Sequence, residues 1–244
     1  MSEKNLLKQT YYKEMGISDQ QKGVPQPPLF DDIDCEENLI DLPSPEDFDL
    51  KPVDFKNILF SRRSVRNYAN SPISVEQLSY LLWSSQGVKK IVPGKATFRT
   101  VPSAGARHAF ETYLLVNNVE SLKPGLYKYN AAEHKLILVT SSNEISDDIT
   151  SGCLGQKFVK TCAATFIWAA DFYRMAWRYQ KRSYRYLHLD AGHVCQNLYL
   201  AAETINCGVC AIAAFDDELM NSILNLDGDK KFVIYIAAAG KKAS

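Results

Sequence analysis

YLHLDAGHVCQNLYLAAETI, residues 186–205, places Leu187, Ala191, Val194, Leu198 and Ala202 at helical spacing on one stripe. Leu189, Tyr199 and Ala201 carry apolar character onto other faces, so this long helix is predicted to be buried on several sides, inside a core or at a subunit interface. Asn206 and Gly208 end it. Strand-like runs flank it: TFIWAA at 165–170 before, and FVIYIAAA at 232–239 after. Between the helix and the second run, Asp216 can cap a short helix reaching Leu224. Further upstream, ETYLLVN at 111–117 reads as a strand. A Lys123-Pro124-Gly125 turn then leads into a hairpin of LYKY and KLILV. The clearest other helix spans 74–87, where Ser74 and Gln77 form a capping-box pair and Gly87 is the stop. Helices and strands mix without a regular βαβ repeat, so the expected class is α+β.

Residues 1–50 differ from the rest. GVPQPP at 23–28 and DLPSP at 41–45 punctuate a polar, acidic stretch with little periodicity. This N-terminal extension reads as an arm, disordered alone or laid across a partner surface, ahead of a folded domain at 51–244. The 244 residues are 46% hydrophobic and 23% charged, which suits one large domain with an extension. Lys+Arg 28 balance Asp+Glu 28, so there is no basic excess for a nucleic-acid backbone and no such partner is expected. No apolar run of about eighteen residues exists, so no membrane span is expected. Residues 1–9 carry no apolar signal segment, and the protein is expected to be cytoplasmic.

Six cysteines, Cys35, Cys153, Cys162, Cys195, Cys207 and Cys210, include one CxxC pair at 207–210. A single pair lacks the second half of a zinc site, and it follows a helix where reactive thiolates prefer to open one. Buried, reduced thiols are the reading. His188 and His193 lie five apart, about 140° around a helix, which does not suit a shared metal. No metal is expected.

Three segments carry chemistry. In Ser61-Arg62-Arg63-Ser64-Val65-Arg66, an extended backbone would put Arg62, Ser64 and Arg66 on one face and Val65 on the other. Two guanidiniums and a hydroxyl supply the donors a phosphate needs, although a solvated basic turn would look the same. In Pro102-Ser103-Ala104-Gly105, small residues allow a ring to approach the backbone closely, although alone the segment is also an ordinary loop. Tyr179 to Tyr186, YQKRSYRY, pairs tyrosines with basic residues that could line a site or snorkel at a helix start.

In combination, RRSVRNY, LLWSSQG, RTVPSAGARHAFETYLLV, YRYLHLDAGHVCQNLYLAAE, the AIAAF turn and the terminal AAAGKK resemble the nitroreductase superfamily, and within it the SagB-type dehydrogenases, from about residue 55 onward. The resemblance implies a central, mostly antiparallel sheet flanked by helices, built as a domain-swapped homodimer with FMN at the subunit interface. It implies that Arg62, Arg63, Ser64 and Arg66 hold the FMN phosphate, ribityl and pyrimidine edge. Pro102, Ser103, Ala104 and Gly105 would reach the flavin from the other subunit. Ile212, Ala213 and Ala214 would pack beside the isoalloxazine, and Lys241 and Lys242 match a basic phosphate contact of some relatives. The implied activity is an FMN-dependent oxidoreductase that uses NADH or NADPH to reduce small electron-poor substrates such as nitroaromatics or quinones. SagB-type azoline oxidases carry a catalytic Lys-Tyr pair before the YRY segment. Here Arg178 and Tyr179 fall on those positions, which leaves Tyr179 as the candidate catalytic residue. An arginine stays protonated and cannot serve as a base. Azoline dehydrogenation in peptide maturation and a flavin-binding protein without turnover stand as the alternatives.

Overall fold

Side-chain alternation builds the centre of the molecule. Leu114 and Val116 face one side of the sheet while Leu115 faces the other. Phe166 and Trp168 likewise oppose Ile167, and Ala237 and Ala239 oppose Ile236 and Ala238. Both faces are covered, so the strands read as unbroken apolar runs without polar alternation.

The computed structural model describes residues 3–31 and 39–243. Cys35 lies outside the described residues. Along the chain run α1 (Glu3–Gln9), β1 (Leu39–Asp41), α2 (Phe55–Ser61), α3 (Val75–Gln86), β2 (Val88–Val92), β3 (Ala96–Arg99), β4 (Phe110–Val116), β5 (Gly125–Asn130) and β6 (Lys135–Thr140). There follow α4 (Ile145–Gly152), α5 (Phe158–Thr161), β7 (Ala164–Asp171), α6 (Phe172–Tyr179), α7 (Ser183–Thr204), β8 (Cys207–Ile212), α8 (Asp217–Ile223) and β9 (Lys231–Lys241). Seven strands form one sheet in the order β1-β6-β5-β4-β7-β9-β8, and β2 and β3 form a separate hairpin. Every pairing within the sheet is antiparallel. The α+β class with a central antiparallel sheet between helices is therefore as expected.

The predicted stripe of α7 is the buried one: Leu187, Ala191, Val194, Leu198 and Ala202 are each at most 3% exposed. With α3, this stripe covers one face of the sheet, while α4, α5 and α8 supply residues to the other. The helix begins three residues earlier than its apolar pattern, because Ser183 is already buried at its start. At α3, the expected capping box is formed in both directions, Gln77 N to Ser74 Oγ and Ser74 N to Gln77 Oε1.

Two features position the site. β8 is an edge strand, and the arginine segment meets it where Val65 N donates to Val209 O at 2.9 Å; Ala69 N then reaches Lys241 O, at the end of β9, at 3.0 Å. Gly208 permits this, since a Cβ there would sit 2.5 Å from Val65 Cγ2. The N-terminal arm lies on its own chain, along α6 and the start of α7. Gln20 N donates to Trp177 O, Trp177 Nε1 to Val24 O and Arg182 Nη1 to Thr10 O. Asp31 then receives Arg174, Lys128 and Lys231 within 2.9 Å.

Candidate active site

The arginine segment leaves α2 directly. Asp54 caps that helix through Lys56 N, and Arg62 N closes it on Ile58 O. Val65 is buried against Gly208, while Arg63, Ser64 and Arg66 are exposed and Arg62 is half-buried. Val65 is inward and Ser64 and Arg66 outward as the alternation predicts, but Arg63 is exposed beside them and Arg62 only half so, because the segment makes a single bridge to the sheet and is not a regular strand. The Arg62 guanidinium lies 5.3 Å from the centroid of the Tyr199 ring. The Tyr199 hydroxyl is 3.0 Å from Ser64 Oγ and accepts from Ala211 N at 2.8 Å. Tyr199 therefore ties the segment to β8. Among the described residues no carboxylate pairs with Arg62, Arg63 or Arg66. Three cations with no carboxylate paired to them among the described residues, beside the Ser64 hydroxyl, can bind a phosphate. Lys242 differs: its Nζ is 2.6 Å from the buried Glu203 carboxylate, which Ser61 Oγ also reaches at 2.9 Å. Lys241 Nζ reaches Ile205 O at 3.5 Å.

Ile212 ends β8, and its side chain is buried in the core on the α4 and α8 side. Ala213 and Ala214 follow as exposed backbone, with Ala214 O accepting from Gln156 Nε2. They follow the C-terminal end of β8, the strand whose Val209 receives the arginine segment.

The 102–105 turn sits elsewhere. Ser103 Oγ donates to Asp190 Oδ2 at 2.6 Å, and Ala104 N is 3.2 Å from both Asp190 oxygens. Pro102 and Gly105 are exposed. Gly105 has φ 59° and approaches the Tyr179 hydroxyl so closely that a Cβ would meet it at 2.5 Å. Tyr179 packs edge-on against Tyr186 with ring centroids 4.7 Å apart, and the Arg178 guanidinium lies 5.6 Å from the Tyr179 ring centroid. Burial raises the Tyr179 hydroxyl above the ordinary tyrosine range, against the charge of Arg178. Arg107, buried at 2% exposure, donates to Arg174 O and Gln26 Oε1.

Two groups result, and α7 separates them. Asp190 holds the turn and Tyr199 holds the arginines. Nine helical residues amount to about 13 Å of rise and half a revolution, so they project from opposite sides of the helix. One chain does not bring the two halves to a common point. Asp190 and Tyr199 are the residues that sequence reading missed. Asp190 left a signal: it lies three residues after Leu187 and four before Val194, a charge within the buried stripe. Tyr199 left none beyond its place on the helix. Burial raises the Cys207 thiol to about 11 and raises Cys210 as well. Both belong to β8 and neither meets the turn.

The chain is an α+β protein whose central sheet lies between helices and carries at its edge an arginine cluster that no carboxylate among the described residues pairs. The chain belongs to the nitroreductase family, whose profile, described as "Nitroreductase family", matches residues 59–241. It is 32% identical over 194 residues to a nitroreductase-type protein of Methanocaldococcus jannaschii, covering 80% of this chain and 94% of that one. It is 30% identical over 154 residues to the trifolitoxin-processing protein TfxB of Rhizobium leguminosarum bv. trifolii, covering 62% of this chain and 41% of TfxB. A nitroreductase-type structure from Anabaena variabilis shares 30% identity at a TM-score of 0.66, over 78% of this chain and 38% of that chain. This chain thus spans less than half the length of TfxB and of the Anabaena protein. Two structures of lower identity share the fold. One belongs to the E. coli microcin synthetase McbBCD complex with truncated pro-MccB17 bound, at 19% identity and a TM-score of 0.64, covering 100% and 95% of the two chains. The other is a nitroreductase-type protein of Desulfovibrio desulfuricans in complex with FMN, at 15% identity and a TM-score of 0.56, covering 80% and 89%. Among the described residues no helix is long and apolar enough to cross a membrane.

Proposed function

We propose that this chain is an FMN-dependent oxidoreductase that takes electrons from NADH or NADPH and delivers them to small electron-poor organic substrates, with nitroaromatics and quinones as the class. One observation carries it within this oxidoreductase family: Arg62, Arg63, Ser64 and Arg66 form a donor set that no acid of the described chain occupies. These donors suit the phosphate, ribityl and pyrimidine edge of FMN. When bound, FMN supplies the hydride and electron transfers. Ile212, Ala213 and Ala214 would form the wall beside it. Pro102, Ser103, Ala104 and Gly105 would come from the partner subunit of a homodimer, which the separation of the two groups along α7 supports. Tyr179, raised by burial and next to Arg178, stays protonated and acts as a hydrogen-bond donor or pocket wall. Arg178, a guanidinium where a lysine could act as base, offers no group to remove a proton.

The test is the absorbance spectrum of purified protein before and after anaerobic addition of each nicotinamide. The expected result is an oxidised flavin spectrum that NADH or NADPH bleaches and a quinone restores. A flavin that neither nicotinamide reduces would overturn the reductase reading.

A second reading, azoline dehydrogenation during peptide maturation, draws on the similarity to trifolitoxin-processing TfxB and the likeness to a chain of the microcin synthetase complex. Reduction of the flavin by an azoline-bearing peptide and by neither nicotinamide would favour it.

A further inference from the structure

Asp190 is a carboxylate at 5% exposure on the buried stripe of α7. Among the described residues no lysine or arginine forms an ion pair with it. Burying an ionised carboxylate without a counter-charge is costly unless hydrogen bonds satisfy it. Here those bonds come from one place, the 102–105 turn: Ser103 Oγ at 2.6 Å and Ala104 N at 3.2 Å. Ser103 Oγ also accepts from His108 N at 2.9 Å. The serine hydroxyl therefore relays between carboxylate and backbone and closes residues 103–108 into a loop. Inside that loop Gly105, Ala106 and His108 all have positive φ, at 59°, 53° and 43°. Two of the three are not glycine, and such backbone persists only where its surroundings enforce it. Pro102 and Gly105 face outward as a result. Burial pushes the Asp190 carboxyl up, while the Ser103 and Ala104 donors and His193 pull it down.

We propose that Asp190 is a positioning residue of the flavin site: its carboxylate, acting through Ser103 and Ala104, fixes the 102–105 turn in the one shape that meets the isoalloxazine. The inference rests on the FMN reading above. A purely structural role would be met by any group that fills the space. A positioning role depends on two acceptor oxygens facing one hydroxyl and one amide. Asp190→Asn is nearly isosteric and keeps one of them.

The experiment titrates FMN into apo-protein by flavin fluorescence, records the visible circular dichroism of the bound flavin, and melts each apo-protein. The proteins are wild type, Asp190→Asn and Ser103→Ala. Wild type is expected to bind FMN. Asp190→Asn is expected to weaken binding by about tenfold or more, the scale of one charge-assisted hydrogen bond, with an altered dichroism band and an apo melting temperature close to wild type. Ser103→Ala, which removes the relay from the turn's side of the contact, is expected to move affinity and dichroism in the same direction, and it decides the matter if Asp190→Asn does not fold. Wild-type affinity and dichroism in both variants would overturn the assignment while leaving the FMN reading intact. So would a loss of apo stability with no change in dichroism. Failure of the wild type to bind FMN would overturn the FMN reading itself, and this inference with it.

Discussion

At the scale of single residues, the arginines and the tyrosines divide the chemistry between binding and proton control. Arg62 and Arg66 have exposed or half-buried guanidiniums with no acid attached. Removing either should cost about 1.5–3 kcal/mol of cofactor binding, the value of one charge-assisted contact. Arg62→Ala and Arg66→Ala are expected to purify with a visibly lower flavin-to-protein absorbance ratio, whereas Cys210→Ser, whose thiol is raised by burial, keeps its flavin. The reverse pattern would show that the site is misassigned. Tyr179 tests the chemistry. General acid–base help is typically worth about 10²–10⁴-fold. Tyr179→Phe is expected to fall well short of that in single-turnover reoxidation by a quinone, because its neighbour Arg178 supplies no base. A loss of about a thousandfold with FMN still bound would instead assign it obligatory proton transfer.

At the scale of elements, the arginine segment depends on how closely it can lie on β8. Gly208 leaves room for Val65, and a methyl group there would stand 2.5 Å from Val65 Cγ2. Gly208→Ala is expected to cost about 1–3 kcal/mol through overpacking, read as a lowered urea midpoint. Val65 Cβ would itself lie 2.6 Å away, so the relieving change is Val65→Gly, which should recover part of that loss. If the double variant is no more stable than the single, the clash is not the cause. The α3 capping box and the α7 stripe were legible because both are patterns repeated within a few residues. β8 was not, as its six residues include Cys207, Gly208 and Cys210 and show no alternation. α6 was also missed: its cap, Asp171 accepting from Arg174 N, stands at the end of a strand that continues straight into it.

At the scale of the whole molecule, two couplings set behaviour. The first is acid sensitivity. His108 is buried, and desolvation together with the charges of Arg99 and Arg107 lowers it from 6.5 to about 3. Burial would push Asp31 up, but Lys128, Lys231 and Arg174 outweigh it and hold it at about 2. The folded state thus binds fewer protons than the unfolded chain at both groups. The stability these two groups contribute is complete above about pH 6.5, falls as His108 protonates in the unfolded chain, and falls further between 3.8 and 2 as Asp31 is protonated. Urea unfolding at pH 7.5, 5.5 and 4.5 is expected to show a steady decline that His108→Gln flattens. An equal slope in that variant would exonerate His108. The second coupling is association. α2 leaves Phe55 at 61% and Phe60 at 78% exposure beside the arginine segment, an apolar surface of the kind that partners cover. Light scattering is expected to report a homodimer, and Phe60→Asp to shift it toward monomer with loss of FMN. A wild-type monomer at full FMN occupancy would sink the two-subunit site.

The sequence by itself determined the class of fold, the long helix and its buried stripe, the capped α3, the central hairpin, and the inward Val65 between outward Ser64 and Arg66. Each follows from periodicity or capping within one stretch of chain, where side-chain geometry repeats every two or 3.6 residues. The tertiary structure decided what those stretches meet. Asp190 and Ser103 are 87 residues apart in sequence, Ser64 and Tyr199 are 135 apart, and Asp31 and Lys231 are 200 apart. No local pattern encodes such pairs, because they depend on how the sheet and α7 bring distant segments together. The half-turn that sets Asp190 and Tyr199 on opposite sides of α7 could be counted in the sequence. That each holds one half of the candidate site emerged only when the chain was folded around them.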